Sequence, residues 1–244
     1  MEDRVRIRPP VFEIGLKGYC WGAAAVRLAV EADRLAQSLG VSVVFNPQTV
    51  DIHAVAAATS RILVFAQHMD PMTPGRGVGG VLPEALLDAG AVGTLLNHSE
   101  KPMALGALAK AVERARDVGL FTLVFADTPD EAAALAHLGP DIVLAEPPDL
   151  IATGVSAGNV MAAFVAETVA AVKAVDPEIL VMSGAGVSGP DDVDRMIRLG
   201  LDGTGSSSGI LRAPDPVAAM EAMLGAEARA WADTHGALKG TPAR

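Results

Sequence analysis

Continuous apolar runs alternate along the 244 residues with longer amphipathic, alanine-rich stretches. Runs of that kind, apolar at every position, read as strands buried on both faces of a parallel sheet, with the amphipathic stretches as covering helices. The pattern predicts strands over 11–16 (interrupted by Glu13), 41–45, 62–66, 91–96, 121–125, 141–145 and 179–182, and a weaker one over 201–205. Helices are predicted over 21–39, 51–58, 82–89, 104–118, 129–138, 159–175, 190–199 and 216–235. Local signals punctuate them: Gly40 closes the first helix as a C-terminal cap, and Thr128-Pro129-Asp130-Glu131 opens the fifth with a threonine cap and a first-turn proline.

Eight strand-then-helix units of about 30 residues each match the repeat of a closed (β/α)8 barrel. The competing arrangement, an open doubly wound sheet, usually has fewer strands and a glycine-rich first turn, and Gly15-Leu16-Lys17-Gly18 lacks the dinucleotide fingerprint. The expectation is an α/β chain forming one domain over 1–244, with 1–10 as an N-terminal extension and 237–244 as a C-terminal tail.

Composition narrows the partners. With 19 Lys+Arg against 29 Asp+Glu, a net charge of −10, the chain lacks the basic footprint that nucleic acid or an anionic membrane requires. No apolar run approaches the length of a membrane span, and the charged first ten residues do not form a signal peptide. The one cysteine, Cys20, has no partner for an intramolecular disulfide, and no ligand cluster has zinc spacing. A reducing, cytoplasmic setting and a metal-free site are the resulting expectations.

In a barrel the carboxyl ends of the strands converge on one face, and here those ends carry Lys17, His98 and Glu146. Each has an ordinary structural reading when taken alone; together, a cation, an imidazole and a carboxylate suit proton transfer beside a carbonyl. His98 lies within Asn97-His98-Ser99-Glu100, four polar residues directly after an apolar run. Two glycine-rich strand ends, 183–187 with Gly184 and 203–209 with Ser207 and Ser208, offer bare backbone N–H groups for phosphate. Residues 146–154 have stiff Pro147 and Pro148 at one end, apolar Leu150 and Ile151 at the tip and Thr153-Gly154 at the other, which is how a hinged lid is written. The Gly- and Pro-rich 67–80 segment is too long for a plain connector and reads as functional or interfacial.

With Lys17, Asn97-His98-Ser99-Glu100, Glu146-Pro147-Pro148 and Ala152-Thr153-Gly154 in view, the chain resembles the triosephosphate isomerase family, especially its short archaeal-type branch. Ala66-Gln67-His68-Met69-Asp70-Pro71, Leu82-Pro83-Glu84, the 91–100 stretch and Ser183-Gly184-Ala185-Gly186-Val187-Ser188 carry the likeness further, over nearly the whole chain. The resemblance implies a single TIM barrel and a phosphorylated sugar as substrate, with no magnesium, zinc or nucleotide cofactor. It implies Glu146 as the base, His98 as a neutral electrophile, Lys17 as the positive charge near the substrate and Glu100 as the partner of Lys17; the family is a standard case of tuned ionisation and loop closure. Its place beyond the carboxyl end of a strand puts Asn97 beside a ligand, and the resemblance further implies phosphate held by backbone N–H groups at Ala152, at Ser188 or its neighbours, and at Ser207 and Ser208. A homodimer or homotetramer through the 70–80 loop is the implied assembly.

Two positions depart from the family pattern. The asparagine expected two residues before the lysine is Gly15, and the threonine expected near the tip of the third loop is Val78. Losing both partners of a contact is nearly neutral, whereas losing one leaves an unsatisfied group costing about 1–3 kcal/mol. The paired change therefore reads as remodelling, and Gly15 is expected to leave room in the pocket wall. Three alternatives to a triose substrate stay open on these residues: isomerisation of a larger ketose phosphate such as erythrulose phosphate, a non-catalytic sugar-phosphate binder, and another reaction on a phosphate-binding barrel.

Overall fold

The computed structural model describes residues 7–147 and 158–236. Eight parallel strands close in sequence order, β1 (Val11–Gly15), β2 (Ser42–Asn46), β3 (Leu63–Ala66), β4 (Gly93–Leu96), β5 (Phe121–Ala126), β6 (Ile142–Ala145), β7 (Leu180–Ser183) and β8 (Gly203–Gly205), with β8 pairing back onto β1. The helices are α1 (Gly22–Leu39), α2 (Ile52–Ala58), α3 (Pro83–Asp88), α4 (Leu105–Val118), α5 (Pro129–Ala136), α6 (Gly158–Val175), α7 (Pro190–Arg198), α8 (Ser208–Leu211) and α9 (Pro216–His235). This is a single (β/α)8 TIM barrel.

Side chains on a strand alternate between faces, so closing the sheet sorts the apolar residues into two cores. Val11, Val44, Leu63, Phe65, Leu95, Leu123, Ile142, Leu144 and Met182 fill the barrel interior. Their neighbours Phe12, Ile14, Phe45, Val64, Leu96, Val124, Val143 and Val181 face outward into the layer packed beneath the helices. Glu13 lies between the inward Val11 and Gly15, and Asn46 lies two residues beyond the inward Val44; both are buried. That parity places two polar side chains above the inner core.

The punctuation read from the chain holds where local chemistry governs it. Gly40 is left-handed at φ 70° and donates to the Ala36 carbonyl at 3.0 Å. Thr128 accepts from the Glu131 amide at 3.1 Å, and Glu131 accepts in turn from the Asp127 amide at 2.8 Å. The fifth helix stops at Ala136 instead of continuing to 138, with Gly139 left-handed at φ 70° just beyond. The eighth strand starts at 203, not at the predicted 201, and just before it Asp202 turns its carboxylate to the Val181 amide at 2.8 Å and to Lys173 at 2.9 Å. A one-turn helix, α8, was not expected from the sequence. The 237–244 tail and the first six residues of the expected extension lie outside the described residues.

Inside the barrel the Phe65 ring lies directly over Gly93, where a Cβ would come within 2.4 Å of a ring carbon. We expect Gly93→Ala to overpack the inner core and cost about 1–3 kcal/mol, read as a lower denaturant midpoint with an unchanged m-value. An unshifted midpoint would show that the ring has room to move.

Candidate active site

The strand ends open onto one cleft of about 470 Å³, lined among others by Glu13, Gly15, Lys17, Asn46, His98, Glu100, Glu146, Gly184 and Ser207. Three of the lining residues were expected as the reacting groups, and the barrel brings them together from the ends of β1, β4 and β6.

Lys17 follows β1 in a left-handed conformation, φ 45°, which is uncommon for a residue with a side chain. Its carbonyl is held by the side-chain amides of Gln48 and Gln67, the latter at 3.0 Å and also bonded to the Asn46 carbonyl at 3.1 Å. Its ammonium meets Glu100 Oε1 at 2.6 Å, the expected pair. The hydrogen bond to Lys17 holds the Glu100 carboxyl below the usual carboxylate range.

Asn97 is also left-handed, φ 61°, and turns the chain from β4 into its loop. Its amide donates to the Phe125 carbonyl at 3.1 Å and its carbonyl oxygen accepts from the Met103 amide at 3.0 Å. Both ends of the side chain help to shape the loop.

The loop that Asn97 shapes sets the chemistry of His98. The Glu100 amide donates to His98 Nδ1 at 3.0 Å, so Nδ1 is an acceptor and, in the neutral ring, Nε2 carries the proton. Burial and, after it, the Lys17 ammonium push the imidazole below its ordinary range. A neutral ring with Nε2–H as donor is the outcome at neutral pH. Phe125 packs edge-on against it, with ring centroids 4.6 Å apart.

Glu146 leaves β6 with its amide bonded to the Ala126 carbonyl at 2.9 Å. Burial raises its carboxyl above the usual range, with Lys17 opposing and Asp127 and Glu100 adding to the rise. Gly184 was expected at the phosphate; in the structure a Cβ there would stand 2.7 Å from Glu146 Oε1, so the glycine makes space for this carboxylate.

The phosphate assignments divide. Ser207 lines the cleft just ahead of Ser208, the first residue of α8. The Ser188 amide and hydroxyl both donate to Asp192 Oδ2, at 3.0 and 2.8 Å. Ala152 and the lid residues Pro148, Thr153 and Gly154 lie outside the described residues, whereas Pro147 is described and half-buried.

Gly15 does not leave the room expected of it. A Cβ at this position would stand 2.6 Å from Ser207 Oγ and 2.7 Å from Glu13 Oε1, because those two groups fill the space. Glu13, Asn46 and Gln67 were not among the candidate site residues. The signal for Glu13 was present, since a carboxylate interrupting an apolar strand shares the face of the residues two and four positions later.

A family profile described as triosephosphate isomerase matches residues 16–223. The chain belongs to the triosephosphate isomerase family. Curated relatives named triosephosphate isomerase include that of Methanothermus fervidus, 36% identical over 88% of this chain and 97% of the relative. Those of Methanobacterium bryantii, 37% identical over 86% and 94%, and Pyrobaculum calidifontis, 40% identical over 86% and 92%, are similar in the same way. Against that family background, Gly15→Asn should not improve the site. The added side chain must displace both the Glu13 carboxyl and the Ser207 hydroxyl, and we expect kcat/KM on triose phosphates to fall by about tenfold, an amount set by one displaced hydrogen-bonding group. A rise in kcat/KM would show that both groups move aside freely.

Proposed function

We infer that the protein interconverts glyceraldehyde 3-phosphate and dihydroxyacetone phosphate. The observation that carries this reading is the His98 ring fixed as an Nε2–H donor by the Glu100 amide, in one cleft with Lys17 and Glu146. Glu146, as carboxylate, takes the proton from the carbon beside the carbonyl, and the electron pair moves to the carbonyl oxygen to form the enediolate. His98 Nε2–H and the Lys17 ammonium are the donors that stabilise the developing negative charge. The hydroxyl proton passes to the former carbonyl oxygen beside the His98 donor, Glu146 returns its proton to the former carbonyl carbon, and the aldose has become the ketose with no net gain or loss of atoms or electrons.

In this reading the backbone at Ser207 and Ser208, together with Ala152, holds the phosphate, and closure of 146–154 excludes water so that the enediolate keeps it. The groups that fill the space over Gly15 favour a three-carbon over a four-carbon ketose phosphate. A base at Glu146, raised by burial, favours an enzyme over a sugar-phosphate binder. The reducing, cytoplasmic setting expected from the lone cysteine belongs to the same reading. Among the described residues no helix is long and apolar enough to cross a membrane.

The 70–80 loop supports self-assembly as a homodimer or homotetramer. It is tied at its base by the Asp70 amide to the Val81 carbonyl at 3.0 Å and the Val81 amide to Asp70 Oδ2 at 2.7 Å, while Val78 at its tip is fully exposed. A stiff base with an apolar tip suits insertion into a second copy of the chain.

Glu146→Gln removes the base while keeping the side chain's shape. We expect it to retain the fold and phosphate-analogue binding and to lose about a hundredfold to ten-thousandfold in kcat, the range of general-base contributions. Turnover at the parent rate would reject Glu146 as the base. Assembly is checked by sedimentation: we expect a species heavier than the 25.0 kDa chain, shifted toward monomer by Val78→Asp. A parent protein that sediments as a monomer would reject the oligomer.

A further inference from the structure

Glu13 is a buried carboxyl in the cleft for which the isomerisation above has no use. It comes from inside β1, flanked along the strand by Val11 and Gly15 on the same inward face, and its carboxyl rises into the space over Gly15. The Asn46 side-chain amide donates to Oε1, and Gly205 on the neighbouring β8 approaches so closely that a Cβ there would lie 2.8 Å from Oε2. Glu13 is buried apart from its contact with the cleft, which it lines together with Lys17, His98 and Glu146.

We propose that Glu13 is a substrate-contacting, specificity-determining residue whose carboxyl hydrogen-bonds an oxygen on the carbon chain of the phosphorylated sugar. The proposal rests on the isomerase reading for the identity of the ligand. Three geometric facts carry it: the side chain points inward by strand parity, Asn46 fixes its orientation through Oε1, and two glycines, Gly15 and Gly205, clear the space that it occupies. A side chain with no part in binding would not need glycine on both sides and an amide to aim it into the cleft.

The charge state follows from the surroundings. β8 presents Gly205 and Ser207, neither of which titrates, and β2 presents Asn46. Glu146 from β6 faces Glu13 across the cleft, Lys17 stands at the end of its own strand, and His98 and Glu100 lie at the end of β4. Burial, and next the negative charge of Glu146, raise the Glu13 carboxyl to about 8, against opposing effects of Lys17 and Asn46. At neutral pH Glu13 is therefore an uncharged acid. Oε1 accepts from Asn46, and the O–H on Oε2 is the donor for the sugar oxygen, so that a second negative charge does not stand against the enediolate and the phosphate. Above its pKa the donor is lost and a charge is gained.

The test compares parent, Glu13→Gln and Glu13→Leu. We expect the parent's kcat/KM on glyceraldehyde 3-phosphate to decline as pH rises through about 8. Glu13→Gln, which keeps an N–H donor that cannot ionise, should stay within about tenfold of the parent at neutral pH and lose the alkaline decline. Glu13→Leu should raise KM and lower kcat/KM by about tenfold or more at neutral pH, with the gap to the parent narrowing as pH rises through about 8. An unchanged alkaline limb in Glu13→Gln would overturn the proposal, even if Glu13→Leu fails to fold. Infrared difference spectra separate this outcome from failure of the isomerase reading. The carbonyl stretch of a protonated acid, absent in Glu13→Gln, should shift when dihydroxyacetone phosphate binds to the parent. If the parent does not turn over triose phosphates, the isomerase reading fails, and the band alone decides: a shift supports contact by Glu13, and an unmoved band rejects it.

Discussion

Closure of eight parallel strands is the constraint from which the rest of this molecule follows. With β8 bonded back to β1, no strand has a free edge, and every second residue of every strand must share one narrow interior. Apolar side chains fill most of that interior, and the same parity that directs Val11 and Val44 inward directs Glu13 and Asn46 inward one step later. The cleft is thus the polar continuation of the inner core, and its shape depends on the strand register.

Two kinds of support hold the reacting groups. Backbone conformations that side chains rarely adopt, at Lys17 and Asn97, aim the ends of β1 and β4. Side-chain amides then lock them: Gln48 and Gln67 on the Lys17 carbonyl, Asn97 on Phe125 and Met103. The cost of those strained conformations is offset by partly buried hydrogen bonds that a looser loop could not form.

Electrostatics within the cleft are reciprocal. Burial and, after it, Lys17 lower His98, and Lys17 restrains the rise that burial imposes on Glu146, while the carboxylates around it act against Lys17. Burial raises both Glu13 and Glu146, and what differs is their surroundings: Asn46 donates to Glu13, while Asp127 and Glu100 add to the rise of Glu146 against Lys17. Two carboxyl groups in one dry site can serve different roles only if their surroundings separate their ionisation.

The sequence by itself determined the strand-helix alternation, the caps at Gly40 and Thr128, the polar stretch after β4 and the convergence of Lys17, His98 and Glu146, because each follows from local pattern plus the rule that barrel strands end on one face. The pairing of Glu100 with Lys17 came through family resemblance and was met in the structure at 2.6 Å. Only the tertiary structure decided how space and hydrogen bonds are shared between strands. Gly15 looked like an opening because its own side chain is absent, yet its neighbours Glu13 and Ser207 occupy the volume. The contact of Ser188 with Asp192 four positions on, and the Asn97 brace that spans 28 positions to Phe125, are likewise set by the fold. Occupancy of a shared volume is a property of several strands at once, and no single stretch of chain records it.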